Sequence, residues 1–265
     1  MAKPKPGTYF YVHVLDNVRY AYQSHPFSLA NVRTEVSHGG PHNRPPMMRR
    51  RHARSPSSER YTEADPLLGS ITTRQSTSAV AFLIRPYDGF TSRLAQEASL
   101  GPKILHVLVE GPYGHTVPLR QYQNILFVVG GTGIAVTLSY LEDLLLNDSA
   151  VRSLRIVWAV REHAFLARVL DEFRDCLQDE RVRLEVYLTQ EGRNGDEEGH
   201  KRVILKVGRP DAHAVVGDAA SEASHESLAI MACGPAQMAD QARSGSVAAL
   251  AKGFDVDYFE ESFKW

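Results

Sequence analysis

Two cysteines, Cys176 and Cys233, are all that 265 residues contain, and they stand far apart with no CxxC and no His/Cys cluster. That excludes a disulfide framework and a structural zinc site, and it suits a reducing compartment. Long apolar runs are also missing, since none reaches the roughly 18 residues needed to span a bilayer. The opening Met1-Ala2-Lys3-Pro4-Lys5-Pro6 lacks the apolar core of a signal peptide. Neither sign of charge is in excess: 30 Lys and Arg against 31 Asp and Glu leave a net −1, which gives no general drive toward nucleic acid or membrane. No repeat is visible, and no Asp–His or Ser–His pairing suggests an acid/base dyad. What remains is an ordinary globular composition, 43% apolar and 23% charged, long enough for one large domain or two small ones. As written, the chain is expected to be soluble and cytosolic.

One local absence is sharper. From Val36 to Ser58 there is no acidic and no aromatic residue, while Arg44, Arg49, Arg50, Arg51 and Arg54 sit among Gly, Pro, Ser and His. Such a stretch buries too little apolar surface to offset its ordering entropy, so a mostly disordered insertion is expected over about 36–76. The arginine run could bind RNA or an acidic membrane surface. No aromatic is interleaved for base stacking, which favours a solvated loop, and no nucleic acid is expected as a partner.

The most informative stretch is Asn124 to Leu146. Ile125 to Gly130 is the β-branched, apolar run of a buried parallel strand. A tight turn, Gly130-Gly131-Thr132-Gly133, follows, and then Ile134, Leu138, Leu141 and Leu145 recur at helical spacing. Strand, glycine turn and helix make a phosphate-binding unit, with free N–H groups and the positive helix end facing the turn. It is not a full GxGxxG, because Val136 stands where the third glycine would be.

Before it, Tyr9–Val14, Ser78–Arg85 and His106–Val109 read as strands, with a second short segment at Arg19–Gln23 and a short helix from Thr91. Turns are expected at His25-Pro26-Phe27-Ser28, Pro86-Tyr87-Asp88-Gly89 and Gly111-Pro112-Tyr113-Gly114. This pattern suits a small antiparallel barrel. After it, strands at Leu154–Val160, Arg183–Thr189 and Ser227–Ala232 alternate with helices at about His163–Gln178 and Ala236–Ala251. A further segment lies around Val203–Val207, and Phe254–Phe263 is a last strand-like stretch. Alternation of this kind implies βαβ units and a parallel sheet. The expected fold is therefore a partial antiparallel barrel over residues 1–122, then a Rossmann-like α/β domain over 123–265. About 20 residues past the glycine turn, where an NAD site would place an acid, stands Arg161; a cation there pairs with a 2′-phosphate, which points to NADP(H).

Taken in order, HPFS, GFT, EGPYG, GGTGI, WAVRE, GRPD, CGP and the terminal EESFKW resemble the ferric reductase and NADPH oxidase branch of the ferredoxin–NADP reductase superfamily. The likeness is to the C-terminal FAD/NADPH-binding region of fungal ferric-chelate reductases, and it covers nearly everything outside the arginine-rich insertion. The resemblance implies FAD and NADPH as cofactors. His25, Pro26, Phe27 and Ser28 match the flavin motif, while Arg85, Gly89 and Thr91 match the stretch holding the FAD diphosphate. Gly111, Pro112, Tyr113 and Gly114 match the inter-domain turn. Gly131, Thr132, Gly133 and Ile134 match the NADPH diphosphate loop, and Arg161 and Arg209 match contacts to the adenosine end with its 2′-phosphate. Cys233, Gly234 and Pro235 match the turn beside the nicotinamide. Phe263 matches the aromatic that covers the flavin, with Trp265 as its rival. Ser28, Cys233 and Phe263 are the residues expected nearest the chemistry, and no metal site is implied.

By the same resemblance, a hydride would pass from NADPH to FAD, and single electrons would then go to ferric iron, as a chelate, or to a haem. Family members carry a haem-bearing membrane domain upstream, which would put this region on the cytosolic face of a membrane. The first barrel strands are missing from the pattern, so a second reading is a truncated, non-catalytic NADPH-binding or interaction module. A third is a nucleic-acid or membrane-surface binder working through Arg49 to Arg54.

Overall fold

The computed structural model describes residues 4–16, 22–36, 76–87, 89–147, 149–190 and 203–261. Residues 33–79 separate as a small unit of their own, and the larger unit comprises residues 1–32 and 80–265. The arginine-rich stretch, most of the segment expected at Arg19–Gln23, and Phe263 and Trp265 lie outside the described residues.

The first half holds β1 (Tyr9–Val14), β2 (His25–Val36), β3 (Ser76–Phe82), α1 (Gly89–Ser99) and β4 (Val107–Tyr113). The four strands form one sheet in the order β3-β2-β1-β4, with β1 antiparallel to both β2 and β4. β1 alternates strictly, burying Phe10, Val12 and Val14, the period of two that a half-buried strand imposes. Residues directly opposed across an antiparallel pair share a face. Phe10 opposes Phe27 and Val12 opposes His25. On that face Phe90 of α1 stacks flat on the His25 ring, 4.3 Å between centroids. Tyr9 opposes Ser28 and Tyr11 opposes Pro26, so the other face carries hydroxyl and phenol groups, joined by Tyr113 of β4 at 5.8 and 5.6 Å.

Two expected turns are strand instead. His25–Ser28 opens β2; Pro26, which cannot donate to a ladder, is tolerated there because it stands at the strand's beginning. Gly111, Pro112 and Tyr113 finish β4, where the register against β1 shifts between Tyr9 and Tyr11, an irregularity of the kind that lets glycine and proline sit in a strand. The strand expected to reach Arg85 stops at Phe82.

The second half holds β5 (Asn124–Gly130), a 3-10 turn (Gly131–Gly133), α2 (Ile134–Leu146), β6 (Ser153–Val160), α3 (His163–Glu172), α4 (Arg174–Leu177) and β7 (Val182–Leu188). It continues with β8 (Val203–Val207), α5 (Ala212–Ala223), β9 (Leu228–Cys233), α6 (Ala236–Ala251) and β10 (Val256–Glu260). The six strands are parallel in the order β10-β9-β5-β6-β7-β8. The chain starts at β5, steps outward to β8, then returns to add β9 on the other side. The switch point lies between β5 and β9, where a crevice opens at the carboxyl ends of the strands.

β5 is buried on both faces. Ile125, Phe127 and Val129 join one core with Leu138, Leu141 and Leu144 of α2; Leu126 and Val128 join another with the alanines of α5 and α6. The helix expected over 163–178 is two, because Phe173 leaves helical geometry (φ −114°, ψ 23°) while its ring stays buried. α5 is an element that hydrophobic periodicity does not announce. The carboxylate of Asp211 caps it, accepting from the Ala214 N–H at 3.1 Å.

One charged cluster is buried in this sheet. Glu185 of β7 accepts from Arg155 Nε at 2.8 Å and Lys206 Nζ at 2.7 Å. Burial pushes its pKa up, but the bonds from Lys206 and Arg155 outweigh that and hold the carboxyl below its ordinary value. The two halves are tied through α2. Tyr140 Oη accepts from the Val117 N–H at 2.9 Å, and Ser139 Oγ accepts from the Gly7 N–H at 3.1 Å. Burial pushes the Tyr140 phenol up to about 12.

Candidate functional site

At the switch point β5 ends in the Gly131–Gly133 turn and β9 ends in Cys233, followed by Gly234 and Pro235. The two ends pack against each other. A Cβ on Gly133 would stand 2.3 Å from the Cys233 carbonyl oxygen and 3.0 Å from its Sγ. Only glycine allows the turn to lie this close to β9. Gly131 is glycine for another reason: its φ is +55°, a left-handed value, and nothing lies within 4 Å of where its Cβ would be.

A cavity of about 640 Å³ opens over these ends, within the range of ligand pockets. Nine of the residues singled out in the sequence line it: Arg85, Gly131, Thr132, Gly133, Arg161, Arg209, Cys233, Gly234 and Pro235. Arg161 follows β6, Arg209 follows β8, and Arg85 lies past β3, so three strand ends deliver three exposed guanidinium groups. Among the described residues none of the three is held in an ion pair. Arg161 does not pair with the adjacent Glu162. Three uncommitted cations around a glycine turn and a helix N-terminus suit a polyanion.

The inner end of the cavity is different. Cys233 is buried, and burial, with the nearby Glu261 charge adding, pushes its thiol up to about 12. Glu261 also lines the cavity, and its carboxyl is pushed up by burial, opposed by His115. Burial thus disfavours the charged form of both acids, in contrast to the cationic mouth.

The remaining candidates are elsewhere. Ile134 starts α2 but its side chain is in the core, and its N–H bonds the Gly131 and Thr132 carbonyls. The flavin motif divides by strand alternation: Ser28 and Pro26 lie on the tyrosine face, His25 and Phe27 on the face that α1 covers. Gly89 begins α1, and Thr91 Oγ1 accepts from the Tyr87 N–H at 3.0 Å. Gly111, Pro112, Tyr113 and Gly114 run beside β1 rather than along the cavity. The cavity also takes in Phe165, Thr189, Gln237, Met238 and Gln241, to which the sequence reading gave no role. Gln237, Met238 and Gln241 stand one helical turn apart on the opening of α6, a spacing that follows once α6 is seen to start at the CGP turn. Among the described residues no group of acids, histidines and cysteines could hold a metal ion, and no helix is long and apolar enough to cross a membrane.

Comparison with known proteins agrees with this geometry. Residues 122–247 match the family model "Ferric reductase NAD binding domain". The chain is similar to ferric/cupric reductase transmembrane component 2 of Saccharomyces cerevisiae, 26% identical over 62% of this chain and 28% of that protein. It is also similar to ferric reductase transmembrane component 6 of the same yeast, 29% identical over 69% of this chain and 29% of that protein. The chain thus matches under a third of the length of these relatives. Among solved structures, a flavohemoglobin from Malassezia yamatoensis superposes with a TM-score of 0.54 at 16% identity, covering 98% of this chain and 51% of that one. A ferredoxin NADP+ reductase from Neisseria gonorrhoeae superposes with a TM-score of 0.53 at 13% identity, covering 97% and 87%. These likenesses establish the fold.

Proposed function

We infer, from a chain whose residues 122–247 are a ferric reductase NAD-binding domain and whose sequence is related to fungal ferric reductases, that it is an FAD-dependent oxidoreductase. It takes a hydride from NADPH and passes single electrons to ferric iron, as a chelate, or to a haem. The observation that carries this reading is the convergence of Arg85, Arg161 and Arg209, free of ion pairs among the described residues, on the cavity over the glycine turn.

The residues present fit a dinucleotide. Gly131, Thr132 and Gly133 offer backbone N–H groups and a close approach to a diphosphate. Arg161 and Arg209 favour a 2′-phosphate over a bare hydroxyl, which selects NADPH against NADH. The inner end, where Cys233 is buried, suits a nicotinamide ring. For FAD, the chain offers the Ser28–Pro26 face with its three tyrosines, the start of α1, and Arg85. When bound, the flavin supplies the change from two-electron to one-electron chemistry; the protein orients it and limits water. The named relatives are transmembrane components, so a haem-bearing membrane partner and a place on the cytosolic face fit this reading. The boundary between the flavin-binding and NADPH-binding parts is assigned near residue 122.

One observation favours a second reading. β4 ends the first sheet, and Val107 and Leu108 are exposed on its two faces. A barrel left open there would be a nucleotide-binding module that holds NADPH without FAD. The visible spectrum decides between them. Purified protein mixed with FAD and desalted is expected to stay yellow and to bleach on anaerobic NADPH. Flavin lost on the column, with NADPH still bound, supports the module and refutes the stand-alone enzyme.

A further inference from the structure

We propose that Trp158 is a positioning residue for the diphosphate of the pyridine nucleotide, acting through the carbonyl of Gly131; the proposal rests on the reading that the glycine turn holds that diphosphate. Trp158 lies on β6 opposite Val129 of β5, and its side chain is fully buried in the core beneath α2. A buried indole N–H needs an acceptor. It finds the carbonyl oxygen of Gly131 at 2.9 Å, and that oxygen also accepts from the Ile134 N–H at the start of α2.

The consequence is geometric. In a planar trans peptide the N–H of a residue points opposite to the carbonyl before it. With the Gly131 carbonyl drawn toward the indole, the Thr132 N–H must point away from the indole. Gly131 and Thr132 both line the cavity and both are half-buried. The orientation of this peptide is set by ψ of Gly131 and φ of Thr132, and Gly131 has no side chain to restrict the first of these. The indole bond, together with that from the Ile134 N–H, holds one orientation. Phe165 sets its ring edge-on to Trp158 at 5.6 Å and itself lines the cavity, so the indole is held in place. Trp158 does not line the cavity, so its influence passes through the backbone.

The test uses W158F, which keeps an aromatic ring and removes the donor. Calorimetric titration with two probes separates positioning from general support: NADP+, which contains the diphosphate, and 2′-AMP, which does not. NADP+ is expected to bind roughly tenfold more weakly, the scale of one hydrogen bond, while 2′-AMP binds as in the wild type. Unchanged NADP+ affinity overturns the proposal, as does equal weakening of both probes. Wild-type protein that binds neither probe overturns the reading of the cavity itself, and the proposal with it. Should W158F not fold, benzothienylalanine at position 158 keeps the indole's shape with sulfur in place of the N–H, and the same two titrations apply.

Discussion

Replacing Gly133 by alanine probes the contact on which the cavity is built. The added Cβ would stand 2.3 Å from the Cys233 carbonyl oxygen, whereas real Cβ atoms essentially never approach within 3.0 Å. The obstacle is backbone at the end of a central strand, so no side-chain rotation relieves it. The turn has to retreat from β9 by about 0.7 Å, and overpacking of this kind costs about 1–3 kcal/mol. A displacement near 1 Å at a ligand-positioning loop costs about a hundredfold in function. G133A is therefore expected to unfold at lower urea by that free energy and to bind NADP+ about a hundredfold more weakly. The double variant G133A/C233A removes the Sγ contact at 3.0 Å but not the carbonyl contact, so it should recover less than about 0.5 kcal/mol in a mutant cycle. Binding within twofold of wild type, with an unchanged urea midpoint, would refute the argument. Recovery by C233A would refute its assignment to backbone.

Three other outcomes are expected. The Cys233 pKa is raised from 9.0 to about 12 by burial, helped by Glu261, so its contribution to stability is full below pH 9 and is lost between pH 9 and about 12. Urea midpoints across that window should fall more steeply for wild type than for C233S, by at most about 1.4 kcal/mol per pH unit. Tyr140→Phe removes the acceptor of the buried Val117 N–H and should cost about 1–3 kcal/mol in equilibrium unfolding. Arg161→Ala should lower the preference for NADPH over NADH about ten- to a hundredfold in binding assays and leave NADH affinity unchanged; a parallel loss of both nucleotides would contradict a 2′-phosphate contact.

How much of this was legible depended on which force shaped each segment. β5 and α2 could be read because a buried strand and an amphipathic helix impose their own periods on the residues, and the glycines between them mark the turn. Arg161 was placed by its distance from that turn. β2 was hidden because Pro26 and the polar Arg33, Thr34 and Glu35 look like loop, and only its place between β3 and β1 in the sheet makes this stretch strand. α5 was hidden because its buried face is largely Ala212, Ala219, Ala220 and Ala223, residues whose burial comes from close packing against α6 rather than from bulk. The convergence of Arg85 with Arg161 and Arg209 could not be read locally, since it joins strand ends from two sheets. The resemblance singled out each arginine separately, Arg85 for FAD and Arg161 and Arg209 for NADPH, and did not bring them together.

The bonds from α2 to Gly7 and Val117 bear on how the molecule can be dissected. A fragment beginning at residue 123 would keep Ser139 and Tyr140 but lose both N–H groups from which they accept, and it would strip Val117, Leu119 and Tyr122 from the core they share with α2. The helix that begins at the glycine turn would then present a bare flank to solvent. Fragments and chimaeras made at that boundary should be poorly soluble unless the incoming piece supplies its own counterparts of Gly7 and Val117. The two halves thus form a matched pair across α2, and a graft has to carry both sides of that contact together.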